Sequence, residues 1–378
     1  MTSQSDPQML LYRARLYLEE GRSKEALVSL QALHTDDEKL QRNVSYLLGW
    51  CYVQQKQWQE AVEVLSPLLA NVRLTGEADS LVERELVALY LLRLGEAAIN
   101  LGHHEDASLH FTICLKVLHD RRVYLPTVRI KARYYLGMTC IVRGLYSAAV
   151  QHYEEALRLC RHYNNEEEMA HVYHGLCDAY RHTGDFARAT TAGEEALQLY
   201  RRRMDREMEA RVHHLMGRIS FSLGDLREAS DHYTESLAIA TGYNSPTMAM
   251  LNCVALADVR LAEERLEEAR RYCQLALETM QRSHNVQMSA TVYHAVGKIA
   301  QEEARLVHGV ERQQLLQEAV SWYQKASELL GPTQAYADRA EIYGRWAQAL
   351  EELGCAQEAI DVWRSGYEVL SKKAAEVR

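Results

Sequence analysis

The chain has 378 residues, 47% of them hydrophobic, with a formal charge of -9 and an isoelectric point near 6.0. That balance argues against a nucleic-acid-binding surface covering the whole protein, and neither a secretory leader nor an apolar run of about 18 residues is visible to suggest export or a membrane span. Eight scattered cysteines without metal-ligand spacing read as reduced thiols of a cytoplasmic protein.

Residues 1–8 read as a polar tail. From there to residue 372 one alanine recurs per unit, at Ala26, Ala61, Ala107, Ala149, Ala189, Ala229, Ala269, Ala319 and Ala359, with spacings of 35, 46, 42, 40, 40, 40, 50 and 40 residues. Twelve residues before most of them stands a second small residue: Ala14, Gly49, Gly95, Gly137, Cys177, Gly217, Ala257 and Ala347. Two helices approach closely only where side chains are small, so each pair of positions predicts a helix crossing within a two-helix unit. Leu136, Leu176, Met216, Leu256 and Val296 beside the first small residue should fill the space around the crossing, as should Phe111, Tyr153, Tyr233 and Tyr323 four residues past the alanine. Gly21, Gly102, Gly144, Gly184, Gly224 and Gly354 fall where the first helix must end in a left-handed turn.

Along the chain, Pro126, Pro246 and Pro332 fall in connectors ahead of first helices, whereas Pro67 lies inside a second helix and should kink or shorten it. The segment ANVRLTGEADSLVERELVALY between the second and third units predicts longer helices and a wider connector. From Ala107 to Ala269 the repeat is most regular, with NNEEE, DRE and YNSP as polar turns. An insertion near 303–315 lengthens the eighth unit, as a longer first helix or an exposed loop. Residues 373–378 read as a polar C-terminal tail.

Catalytic motifs are not found. There is no phosphate-binding GxxxxGK[ST] loop, no dinucleotide fingerprint and no GxSxG elbow, and the His104–Glu105 pair lacks the second histidine of a zinc-protease helix. His174 and Cys177 lie three residues apart on one helix, but Cys177 stands at a crossing and should be buried. Arg201, Arg202, Arg203 and Arg206 form the densest basic run; it sits at a helix end, where the dipole and solvent favour cations, and phosphate or acidic-partner binding is the sharper alternative. No enzyme activity and no cofactor are expected.

The pattern of small residues, turn glycines and unit length resembles the tetratricopeptide repeat family over almost the whole chain, in a variety with units of about 40 residues. The resemblance implies an all-α fold, a right-handed superhelical solenoid of about nine helix pairs spanning 9–372, whose first helices line a concave groove. Families of this unit length include the Rap-type receptors of short signalling peptides and the LGN-type adaptors that hold extended protein segments. Unlike Rap proteins, which carry an N-terminal three-helix bundle acting on a response regulator, this chain shows recognisable repeats from about residue 10.

On the face that the resemblance assigns to the groove, the fifth unit carries His171, His174, Asp178, Arg181 and His182 on one helical stripe. The sixth supplies Arg211, His214, Arg218 and Phe221, the seventh Leu251, Val254, Asp258 and Leu261, and the eighth Thr291, His294, Lys298 and Gln301. The second and fourth units present Asn43, Tyr46, Trp50 and Lys131, Tyr134, Met138. A solvated helix face would hold polar residues too, yet the bias toward His and Arg in an acidic chain, interleaved with aromatics, suits an extended peptide or protein tail with an acidic side chain or free C-terminus. A metal site of His171, His174 and His214 is a competing reading. Non-enzymatic peptide binding leads; a peptide-responsive regulator of another protein and a structural assembly subunit are the alternatives. Neither nucleic acid nor membrane is an expected partner.

Overall fold

The computed structural model describes residues 7–31, 33, 35–70, 81–119, 123–283, 285–329 and 336–376, and every regular element among them is an α-helix. The chain divides into two compact units, Met1–Leu199 and Tyr200–Arg378. The first holds the pairs α1 (Pro7–Glu19) with α2 (Ser23–Gln31), α3 (Glu38–Gln54) with α4 (Trp58–Ala70), α5 (Leu81–Asn100) with α6 (His104–Val117), and α7 (Pro126–Val142) with α8 (Tyr146–Tyr163). Next come α9 (Glu166–Thr183) and α10 (Phe186–Arg202), whose C-terminal end already belongs to the second unit. That unit continues with α11 (Arg206–Ser222) and α12 (Leu226–Gly242), α13 (Pro246–Ala262) and α14 (Leu266–Met280), α15 (Val286–Ala304) and α16 (Gly309–Leu329), and α17 (Tyr336–Leu353) with α18 (Ala356–Glu376).

The crossings fall where the small residues stand. Eight of the nine marker alanines are completely buried and Ala359 is 1% exposed. A Cβ added to Gly95, Gly137, Gly217 or Gly297 would lie 2.4, 2.5, 2.6 or 2.8 Å from the ring of Phe111, Tyr153, Tyr233 or Tyr323. The glycine of the odd helix is thus the slot into which the aromatic of the even helix packs, and close packing leaves no room for a side chain there. Connectors supply the caps: Asn165, Asp205, Ser245 and Asn285 each accept a hydrogen bond from a backbone N–H three residues on.

The turn between helices of a pair is left-handed, as the six turn glycines require. In two pairs the same position holds Lys56 and Glu264, both with φ of +60°. A side chain in this region is strained, so Glu264→Gly should stabilise the second unit by about 1 kcal/mol. Thermal unfolding checks this, and a lowered midpoint would count against it.

Several boundaries differ from the sequence expectation. Helix α1 starts at Pro7 rather than residue 9, because proline is favoured in a first turn where no N–H is needed. Helix α18 continues through Glu376, so most of the expected 373–378 tail is helical. Pro67 sits in the last turn of α4, which continues to Ala70. The insertion is neither a loop nor a longer first helix alone: α15 and α16 have 19 and 21 residues, against 17 and 15 in α13 and α14. Most of the addition precedes Ala319 in α16, where Arg312 bonds to Glu352 of α17 at 3.1 Å. The connector at 71–80, Pro332 and residues 1–6 lie outside the described residues.

Candidate functional site

Within each unit the odd helices pack against the next odd helix, α1 to α3 to α5 to α7 to α9 in the first and α11 to α13 to α15 to α17 in the second. Among the described residues, no two of the even helices other than α10 pack together. Helices that touch one another along a stack lie on its inner side, so the odd helices form the concave face of each unit. The ion pair between Lys298 on α15 and Asp258 on α13, 2.7 Å, runs directly across that face and fixes the register of neighbouring stripes.

In the first unit, His171 lies 6.2 Å from the Tyr134 ring, and Tyr134 leans on Tyr153 of the same pair at 5.8 Å. Asp178 and Arg181 are paired at 2.8 Å, and Asp178 also stands 3.6 Å from His182. His182 lies flat on Tyr146, with ring centroids 4.3 Å apart. His174 is half-buried on the same stripe. The five residues share a face, but Arg181 is mostly enclosed and its charge is already balanced by Asp178. Lys131 likewise pairs at 3.2 Å with Glu168, a buried carboxylate.

In the second unit, Arg211 bonds Glu207 one turn away at 2.9 Å, with both side chains well exposed. Arg218 and Phe221, further along α11, are exposed as well. His214 leans on Tyr233 at 5.3 Å and is 3.0 Å from Asn252 Oδ1 through its Nδ1. Because Asn252 Nδ2 donates to Ser236 and to the Met248 carbonyl, its oxygen must accept, so His214 carries its proton on Nδ1. His294 leans on Tyr323 in the same way, at 5.8 Å. Burial, and then Lys298, push its pKa down to about 4, so it is a neutral ring rather than a cationic donor. Gln301 and Val254 do not line the face: both are buried, and Gln301 accepts from the Tyr323 hydroxyl. Among the described residues no three His, Cys, Asp or Glu side chains converge on a metal-sized position. Burial raises the Cys177 thiol to about 12, which opposes a nucleophilic role.

The family described as the MalT-like TPR region matches residues 91–341, and a tetratricopeptide repeat family matches residues 6–84. The chain belongs to the MalT-like tetratricopeptide repeat family. No curated protein sequence matches it at a significant level. Among solved structures it is similar to the apo quorum sensor NprR from B. thuringiensis, at 15% identity over 96% of this chain and 98% of that one, with a TM-score of 0.69. It is also similar to apo RapI, at 13% identity over 97% and 98% with a TM-score of 0.68. A Rap protein in complex with competence and sporulation factor aligns at 14% identity over 98% and 99%, again with a TM-score of 0.68. At these identities the likeness is one of fold.

The tetratricopeptide register also identifies residues that the sequence reading passed over. Glu96 occupies the position of Asp178 and Asp258, eleven residues before the marker alanine. It pairs with Arg93 at 2.7 Å, and the Arg93 guanidinium lies 4.7 Å over the Trp50 ring. Both charges are largely buried, so the third repeat holds a desolvated ion pair on its inner face. The arginine run has a structural task as well. Arg201 and Arg206 clamp the buried Glu209 at 2.8 and 2.7 Å. Among the described residues no helix is long and apolar enough to cross a membrane.

Proposed function

We propose that this tetratricopeptide protein is a non-enzymatic receptor for an extended peptide or protein tail, held along the odd helices. The observation that carries the reading is, within each unit, the stripe of His, Arg and aromatic side chains on odd helices that lie side by side. A regular array of half-exposed donors, acceptors and rings suits a peptide backbone with spaced side chains. Support comes from the similar structures, since one Rap protein is bound to competence and sporulation factor and NprR has been seen with its cognate peptide NprX. The paired charges refine what is read. Asp178 with Arg181 and Asp258 with Lys298 balance one another, whereas Arg211 and Arg218 are exposed on α11, where an anionic group can reach them. Arg211 makes a surface i,i+4 pair with Glu207, worth about 0.3–0.5 kcal/mol, which a ligand carboxylate can replace. The buried, unbridged thiols fit a reducing compartment such as the cytoplasm.

Calorimetry with peptides recovered by pull-down tests this. Arg218→Ala should weaken an acidic peptide by about 1.5–3 kcal/mol where the contact is enclosed, and by less than ~1 where it stays wet. Binding should also weaken with salt. Equal affinities for the wild type, Arg211→Ala and Arg218→Ala would remove the α11 site from the proposal. The similarity to the quorum sensor NprR favours one extension, in which peptide binding controls the action of this protein on another.

A further inference from the structure

The joint between α8 and α9 is made by two apolar stripes. On α8 the stripe is Val150, Tyr153 and Leu157, one, four and eight residues past the marker alanine. On α9 it is Val172, Gly175 and Ala179, at 17, 14 and 10 residues before the next one. Tyr153 and Leu157 are buried, as are all three residues on α9, and a Cβ on Gly175 would stand 2.7 Å from the Tyr153 ring.

The same register read on α18 and on α1 gives the two halves of this joint as exposed surface. On α18 the stripe is Ile360, Trp363 and Tyr367, exposed by 50%, 47% and 72%. On α1 it is Met9, Tyr12 and Leu16, exposed by 66%, 62% and 39%. A solenoid end that faces water normally carries polar residues on this surface. On α1 and α18 this surface is apolar and aromatic, the composition of an interface core.

The two stripes also match each other chemically. At the α6–α7 joint the residue four past the alanine is Phe111, and the residue 14 before the next alanine is Tyr135. Their rings stack at 5.2 Å and 17°. At the chain's ends these two positions hold Trp363 and Tyr12, again an aromatic pair.

We propose that the protein associates with a second copy of itself head to tail, the α18 face of one copy covering the α1 face of the next and reproducing the interior repeat joint. The contact is heterologous, so each copy keeps one unused face and can add further copies.

Sedimentation velocity over a concentration series, with circular dichroism as the check on folding, tests this. Wild type should form dimers and larger species as concentration rises. Tyr12→Glu and Tyr367→Glu each place a charge on an exposed position of one face. Each should weaken self-association by roughly 30-fold or more, the loss expected at an aromatic centre of an interface. Mixed together, the two variants should form a one-to-one dimer and nothing larger, because one retains an intact α18 face and the other an intact α1 face. A wild type that stays monomeric throughout would overturn the proposal. So would a Tyr12→Glu variant that dimerises alone as well as wild type, since that is the mark of a symmetric α18 contact. Peptide binding by the odd helices can be measured on either variant, so failure here leaves the proposed function standing.

Discussion

Tyr153→Ala should lower the stability of the first unit by about 3–5 kcal/mol, the range for removing a large ring from a core. The ring is 2% exposed and is held between two glycines, Gly137 of its own pair and Gly175 of the next repeat. Added Cβ atoms there would stand 2.5 and 2.7 Å from the ring, so it fills the whole space between the backbones of α7 and α9. With a glycine on either side, neither flanking backbone offers a side chain to fill the cavity left behind. The joint between the fourth and fifth pairs should therefore open rather than collapse. Thermal unfolding should show the loss, and the double variant Tyr153→Ala with Gly137→Leu should be more stable than the sum of the two single changes. A loss under about 1 kcal/mol would mean that the ring does not hold the joint.

The fold was legible because its rule is local. Gly137 and Tyr153 are 16 residues apart in sequence and in contact in space, and the same offset recurs at Gly95 with Phe111 and Gly217 with Tyr233. The left-handed turns were legible only where glycine marks them; Lys56 and Glu264 adopt the same conformation without that signal. The site was legible as a stripe and illegible as a charge pattern. Lys131 meets Glu168 and Lys298 meets Asp258, partners 37 and 40 residues away, so which cation is neutralised depends on how one repeat stacks on the next. Gln301 follows the exposed periodicity yet lies beneath the surface, where it meets the Tyr323 hydroxyl and Glu352 of α17, and His294 is half-buried against Tyr323. Arg93 and Glu96 could have been found by carrying the register into the third unit, where the 46-residue spacing hides it.

Acidification should loosen the second unit through His213. This ring lies between α11 and α12 and is 5% exposed. Arg201 donates to its Nε2 at 3.0 Å, so the proton of the neutral ring sits on Nδ1, which meets His232 Nδ1 at 3.0 Å. A second proton on Nε2 would break the Arg201 bond and set two cations face to face, with Arg206 also near and Glu209 opposing them. Burial first, then His232 and Arg201, hold its pKa at about 4, below the ordinary value of 6.5. The folded state thus favours the neutral ring. The stability this gives is complete above the unfolded pKa and is lost as pH falls through 6.5 toward 4. One such group should remove about 2 kcal/mol between roughly pH 7 and pH 5, and about 3 in all. His294, half-buried beside Tyr323 with Lys298, Asp258 and Arg345 near, should add a loss of the same sign in the same window. Chemical denaturation at a series of pH values measures the sum. His213→Gln should flatten the dependence by the share of one histidine, although its stability at neutral pH is lower for want of the Arg201 and His232 bonds. An unchanged slope in that variant would show that the His213–His232 contact does not govern the acid response.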